Sequence, residues 1–146
     1  MTPASDPKSI DTLPAGATGL LTIDLDTIVA NWRKLSSQAI PADCAAVVKA
    51  DAYGCGITQV SRALAKAGCR TFFVATLDEA RAVREVTPTS TIYVLNGFFP
   101  GSGDQYAKFD CRPVLGDAVE LAEWDAFRTT SGWEGLAAVH VDTGMN

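Results

Sequence analysis

Short apolar runs alternate with amphipathic segments along most of this chain, and this alternation restricts its fold more than any other feature. Five apolar runs recur about every 20 to 27 residues, which is the spacing of βα units. Such an order is typical of parallel strands joined by right-handed helical crossovers. The predicted strands are Cys44–Val48, Thr71–Val74, Thr91–Leu95, Cys111–Leu115 and Leu136–Val141, with a further short strand, Gly19–Ile23, set apart before the first unit.

Helix start and stop signals fill the segments between the predicted strands. The sequence TLDE at positions 76–79 pairs a threonine with a glutamate three residues later, which is the capping-box pattern, and Asp117 with Glu120 suggests a second box. Gly68 follows another segment of helical periodicity, where glycine commonly ends a helix. The predicted helices run from Asp26 (as N-cap) to Ala39, from Ile57 to Ala67, from Leu77 to about Val86, and from Asp117 through a face lined by Leu121, Trp124 and Phe127.

Two α/β architectures fit this order of elements, a doubly wound open sheet and part of a (β/α)8 barrel of the TIM type. Neither G-x-G-x-x-G nor G-x-x-x-x-G-K-[ST] follows any predicted strand, which counts against a nucleotide-binding open sheet. A barrel takes about 250 residues, so five units are a little over half of one. We therefore expect residues 19–146 to be the first five or so βα units of an incomplete barrel, because the last strand has no helix after it.

Composition limits the classes of function. The 146 residues carry a formal net charge of −5 and no basic stripe, which argues against nucleic acid as a partner. No apolar run approaches the roughly 20 residues of a membrane span. Residues 1–18 lack a secretory signal pattern, so we expect a polar, mobile lead-in on a cytoplasmic protein.

The four cysteines form no CxxC pair and, with a single histidine, no zinc pattern, so free thiols are expected.

A lysine, Lys49, stands where the first buried apolar run ends, in the stretch AVVKADAYGCG at positions 46–56. Barrel enzymes place catalytic groups at the C-terminal ends of their strands, and burial lowers the pKa of a lysine so that its amine can act as a nucleophile or a base. A lysine that merely extends past a strand end to water has the same pattern. Tyr53, Gly54 and Gly56 suit a phosphate-binding turn or a plain βα turn. The residues alone leave these alternatives open.

Four stretches together resemble the alanine racemases, which are fold-type III pyridoxal-phosphate enzymes. They are AVVKADAYGCG, TLDEA, YVLNGFFPG and HVDTGMN, and they occur in the family's order and at similar spacing. The resemblance implies a homodimer that carries pyridoxal 5′-phosphate and interconverts L-alanine and D-alanine, supplying D-alanine for peptidoglycan. It further implies that Lys49 is the Schiff-base lysine and one of two catalytic bases, and that Tyr53 donates a hydrogen bond to the cofactor phosphate.

The chain also departs from the family's pattern. His140 precedes VDTGM where many racemases have a lysine, often carbamylated, which orients an arginine against the phenolic oxygen of the cofactor. An imidazole near the cofactor can replace part of that role or can be structural. The arginine itself and the C-terminal β-domain, which supplies a tyrosine as the second base across the dimer interface, lie outside this sequence. We therefore expect the chain alone to be inactive, and a complementary C-terminal polypeptide is a possible partner.

Other interpretations stand beside the racemase. The sequence D-T-G at 142–144 also occurs in aspartic proteases, but those are all-β proteins. A non-catalytic pyridoxal-phosphate-binding barrel of the cofactor-homeostasis type shares the fold but lacks D-A-Y-G-x-G. A broad-specificity amino-acid racemase belongs to the same family. The plainest alternative is a binding or interaction module in which Lys49 reaches water.

Overall fold

The computed structural model describes residues 16–144, so the lead-in expected at residues 1–18 lies outside the described residues except at its end. Eleven elements follow one another in this range. The strands are β1 (Ala46–Val47), β2 (Thr71–Val74), β3 (Thr91–Val94), β4 (Arg112–Leu115) and β5 (Ala138–Val139). The helical segments are α1 (Leu25–Ala39), α2 (Lys49–Tyr53), α3 (Ile57–Ala67), α4 (Leu77–Val86), α5 (Gly103–Phe109) and α6 (Ala118–Ser131). No helix in this part of the chain is long and apolar enough to cross a membrane.

The five strands form one parallel sheet whose spatial order is the same as their order in the chain. A doubly wound sheet reverses its strand order at a switch point, whereas a barrel adds each strand beside the one before it. Helices α1, α3, α4 and α5 pack against one another in succession. The order of strands therefore favours the barrel over the open sheet and confirms the predicted fold class.

Alternate residues of the central strands are buried, because only one face of the sheet is covered by helices. Phe72 and Val74 of β2 are fully buried, and so is Ile92 of β3, while Phe73 and Tyr93 between them are half-buried. Burying one such side chain contributes about 1.5–3 kcal/mol. The covered face thus supplies the core, and the opposite face carries its own set of side chains.

An aromatic cluster holds the loop after β3 against α5 and α6. Phe98 packs on Trp124 with ring centroids 5.3 Å apart, and Trp124 packs edge-on against Trp133 at 5.7 Å. The buried Tyr106 hydroxyl donates a hydrogen bond to the Gly97 carbonyl, and burial raises the Tyr106 pKa well above its ordinary value. Phe99, beside Phe98, is 59% exposed. The loop NGFFPG is therefore anchored through the Phe98 ring and the Gly97 carbonyl, while Phe99 is left exposed.

Several local predictions were wrong. Gly19–Ile23 forms no strand, since no strand among residues 16–144 pairs with it. The N-cap of α1 is Asp24 and not Asp26. The Asp24 carboxylate accepts the Thr27 N–H at 2.9 Å, and this hydrogen bond lowers the Asp24 pKa. In α6 the Asp117 cap is present, but Glu120 accepts the Gly116 N–H and Leu121 is exposed. Polar first-turn residues offer several local partners of similar energy, so the choice among them depends on the loop that precedes the helix.

The two edge strands are shorter than predicted. The apolar run 44–48 was expected to be a strand buried on both faces, but Val47 is 47% exposed on the face that no helix covers. At the other edge, Val139 is 68% exposed although its register partner Leu115 is buried. No helix among residues 16–144 packs extensively against β5, so Val139 stays open to solvent.

The four cysteines are free thiols, as predicted. Cys69 and Cys111 are buried, and Cys44 and Cys55 are partly accessible. Burial raises the pKa of the Cys111 thiol to about 12. The thiols of Cys69 and Cys111 are therefore packing groups.

Candidate active site

Lys49 lies at the C-terminal edge of the sheet, directly after β1. The preceding Val48 is buried, and its N–H donates to the Phe73 carbonyl at 2.9 Å, which continues the pairing of β1 with β2. Lys49 itself is half-buried. Its position is the one that the apolar pattern predicts, at the edge where barrel enzymes carry their catalytic groups.

The backbone after Lys49 makes a left-handed turn. Ala50, Asp51, Ala52 and Tyr53 have φ angles between 51° and 55°, and Gly54 continues at 82°. A left-handed conformation costs about 1–2 kcal/mol for each residue that carries a Cβ. Four such residues in succession persist only if the surroundings hold them. Tyr53, the last of these four residues, lies four positions after Lys49, and its side chain is 64% exposed.

The carboxylate of Asp51 ties the turn to the next helix. Its Oδ1 accepts the Ile57 N–H at 2.8 Å, at the start of α3. A helix N-terminus favours an anion because its first N–H groups have no partner within the helix. Here the anion on that N–H is the chain's own aspartate. This part of the glycine-containing stretch therefore serves the βα turn.

The carboxylate of Glu79 ties the turn to the neighbouring loop. Its Oε1 accepts the Ala50 N–H at 2.6 Å, and its Oε2 accepts the N–H groups of Ala75 at 2.7 Å and Thr76 at 3.2 Å. The Thr76 hydroxyl accepts the Glu79 N–H at 3.3 Å, which completes the predicted capping box of α4. The box is visible in the sequence as TLDE, whereas the bond to Ala50 is not, because the two residues are 29 positions apart.

His140 follows β5 at the same edge of the sheet. Its backbone N–H donates to the Leu115 carbonyl at 2.8 Å, which extends the pairing of β4 with β5, and its side chain is exposed. Lys49 and Tyr53 lie on one turn after β1, whereas His140 lies at the opposite side of the five-stranded sheet. The described strands therefore bring the first two residues together and leave His140 apart from them.

A second set of side chains, not singled out from the sequence, lies on the face that no helix covers. Phe73, Tyr93 and Arg112 are register neighbours on β2, β3 and β4. The rings of Phe73 and Tyr93 stack 4.9 Å apart, and the Arg112 guanidinium stands 5.6 Å from the Tyr93 centroid and donates to its hydroxyl at 3.2 Å. This face therefore carries a cation held by an aromatic stack.

Substitution of Ala50 tests the left-handed turn directly. Ala50 is exposed, so a change of side chain there alters backbone preference and little packing. Ala50→Val is expected to lower the free energy of unfolding by about 1–2 kcal/mol, since a β-branched residue is the least suited to positive φ. Ala50→Gly is the matched control and is expected to stay within about 1 kcal/mol of the parent. Urea unfolding measures both, and equal stability of the two variants would contradict the strained turn.

Comparison with known proteins identifies related sequences over nearly the whole described range. The family model of the alanine racemase N-terminal domain matches residues 23–146. An alanine racemase of Methylobacterium nodulans is 59% identical over 126 residues, which cover 86% of this chain and 34% of that protein. An alanine racemase of a second Methylobacterium strain is 54% identical over 135 residues, which cover 92% of this chain and 36% of that protein.

A solved structure supports the same relationship. The alanine racemase of Bartonella henselae, crystallised with covalently bound pyridoxal phosphate, superposes with a TM-score of 0.80 at 38% sequence identity. The match covers 85% of this chain and 35% of that one. The chain thus spans about a third of the length of the relatives that it matches.

Proposed function

Because this chain belongs to the alanine racemase N-terminal-domain family, we propose that it is the cofactor-attaching part of an enzyme that interconverts L-alanine and D-alanine. The observation that carries the proposal is the position of Lys49, half-buried at the C-terminal end of β1 on a turn that two carboxylates hold. The names of the Methylobacterium relatives support alanine as the substrate. The D-alanine formed would serve peptidoglycan synthesis.

The residues of the turn fit pyridoxal 5′-phosphate, the group bound covalently in the Bartonella henselae enzyme. The fit rests on the donor set, which combines an amine at a strand end with an exposed phenol a few residues later on the same turn. Lys49 would attach the cofactor through its Nζ, and the Tyr53 hydroxyl would donate to the phosphate. When bound, the cofactor supplies an electron sink for the α-carbon of the substrate. His140, at the same sheet edge, would lie near the cofactor once the barrel is closed.

Racemisation requires two proton-transferring groups on opposite faces of the α-carbon, because a proton removed from one face must be replaced on the other. We assign one of these groups to the Nζ of Lys49. The other would be a tyrosine of the partner subunit in a homodimer. The left-handed turn restricts the backbone on which Lys49 sits, and correct placement of the reacting groups contributes several kcal/mol to such a step.

The exposed edges of the sheet favour completion by further strands. Unpaired strand edges and uncovered apolar side chains are a hazard in a free-standing sheet. Val139 of β5 is 68% exposed, Val141 just after it is 73% exposed, and Val47 of β1 is 47% exposed. We propose that residues 19–146 form the first part of a barrel, and that a polypeptide supplying the remaining strands and a C-terminal β-domain completes it.

Reconstitution tests the proposed function. This chain is produced together with the part of the Methylobacterium nodulans racemase that lies beyond the matched segment, and pyridoxal 5′-phosphate and L-alanine are added. We expect D-alanine, measured by chiral chromatography, from the pair and from neither piece alone. A pair that forms a stable complex and binds the cofactor without producing D-alanine would contradict the proposal. Parallel assays with other L-amino acids distinguish a broad-specificity racemase, and cofactor binding without any turnover would indicate a non-catalytic cofactor-binding barrel.

A further inference from the structure

Glu79 is the one side chain of the described residues that hydrogen-bonds both the turn after β1 and the loop after β2. Its Oε2 accepts hydrogen bonds from the N–H groups of Ala75 and Thr76, which immediately precede α4. Its Oε1 accepts a hydrogen bond at 2.6 Å from the N–H of Ala50, the residue that follows Lys49. The capping box uses only Oε2 of Glu79. The bond from the Ala50 N–H to Oε1 is not part of the box and has a separate role.

The bond to Ala50 acts at the first left-handed residue of the turn. Ala50 has a φ of 51°, and the three residues after it follow the same conformation. The backbone N–H groups further along the turn, those of Ala52, Gly54, Cys55 and Gly56, donate to carbonyls of residues 48–52, and the Ile57 N–H donates to the Asp51 carboxylate. The Ala50 N–H is thus held by a carboxylate of a neighbouring βα unit, directly beside the α-carbon of Lys49.

We infer that Glu79 is a positioning residue for Lys49, which fixes the direction of the lysine side chain by holding the peptide that follows it. The inference rests on the proposed role of Lys49 in attaching the cofactor. Glu79 touches neither substrate nor cofactor in this assignment. A carboxylate suits the task because its two oxygens accept from two loops at once, and hydrogen bonds to a charged acceptor are stronger than those to a neutral one.

Three substitutions and a charge control separate positioning from helix capping. Glu79→Ala removes the bonds to both loops, whereas Thr76→Ala removes the threonine half of the capping box and leaves the Ala50 bond in place. Glu79→Gln keeps the size of the side chain but offers one acceptor oxygen in place of two. Asp78→Asn, in the same first turn, removes an exposed carboxylate whose ion pair is with Arg81 and serves as the charge control.

The variants are examined in the complex of this chain with the completing part of the Methylobacterium nodulans racemase. Amide hydrogen exchange over residues 49–56 needs no cofactor, and we expect it to be about tenfold faster in Glu79→Ala and unchanged in Thr76→Ala and Asp78→Asn. Attachment of pyridoxal 5′-phosphate to Lys49, trapped by borohydride and located by mass spectrometry, is expected to slow by about tenfold in Glu79→Ala. Measuring this rate at saturating cofactor, per molecule of folded complex, separates a misplaced Lys49 from weaker cofactor binding or a smaller folded fraction.

Equal effects of Glu79→Ala and Thr76→Ala on exchange and attachment would reduce Glu79 to a helix cap and overturn the inference. If Glu79→Ala does not fold, Glu79→Gln decides: a partial loss of the attachment rate is expected, and an unchanged rate would overturn the inference. Failure of the parent complex to attach the cofactor at Lys49 would instead overturn the proposed function, and the exchange result would still report whether Glu79 holds the turn.

Discussion

Replacing Lys49 with alanine is expected to abolish covalent attachment of pyridoxal 5′-phosphate and to lower racemisation in the reconstituted enzyme by about 10³-fold or more. The reason is that one side chain carries both proposed tasks, attachment through its Nζ and proton transfer on one face of the α-carbon. The visible absorbance of the lysine-bound cofactor and the formation of D-alanine measure the two tasks separately.

Two further substitutions make the Lys49 result specific. Lys49→Arg retains the positive charge but cannot form the covalent bond, so it is expected to behave as Lys49→Ala does. Lys66→Ala removes an exposed lysine at the end of α3 and is expected to leave attachment and activity unchanged. Retention of the absorbance band in Lys49→Ala would mean that another amine holds the cofactor, and the assignment of Lys49 would be wrong.

Replacing Arg84 with methionine is expected to lower the free energy of unfolding by about 3–4 kcal/mol, the largest stability loss that we predict for a single side chain. The Arg84 side chain is only 16% exposed and joins α4, the loop before β3 and the end of α5 through backbone carbonyl groups. A hydrogen bond from a charged donor contributes about 1.5–3 kcal/mol, and the sum is not additive because the bonds share one side chain. The acceptors are the carbonyls of Thr87, Pro88, Ser90, Phe109 and Asp110, at 2.6–3.1 Å.

Arg81, one turn earlier on the same helix, provides the matched control. Its side chain is 56% exposed and makes one ion pair, with Asp78 at 3.5 Å. Arg81→Met is expected to change stability by less than about 0.5 kcal/mol, since exposed ion pairs contribute little. Arg84→Lys should recover only part of the loss, because a single ammonium cannot reach all five carbonyl acceptors in the two segments. Urea midpoints from far-ultraviolet circular dichroism compare the four proteins, and similar midpoints for Arg81→Met and Arg84→Met would contradict the structural role of Arg84.

The sequence was sufficient for several features whose determining contact is local. Thr76 and Glu79 are three residues apart, so their capping box is a property of the chain segment and was predicted correctly. Gly68 ends α3 in the left-handed conformation for the same reason. The apolar alternation predicted the five parallel strands, and the motif around Lys49 pointed to the family that the comparisons identify.

Predictions failed where a segment's structure depends on a neighbour that the segment does not encode. Gly19–Ile23 has the composition of a strand, but a strand needs a partner for its backbone N–H and C=O groups, and none of the described residues provides one. The face of Val47 was expected to be buried because its neighbours are apolar. Burial, however, is decided by which elements cover the sheet and not by the composition of one strand.

What the sequence by itself determined about this protein is the order of its βα units, the ends of α3 and α4, and the presence of a lysine directly after β1. Tertiary structure alone decided that Glu79 reaches the peptide after Lys49 and that Arg84 joins three segments. The physical reason is distance along the chain. A hydrogen bond over three or four residues follows from local backbone geometry, whereas one over 25 or 29 residues exists only after parallel pairing sets the register of neighbouring units.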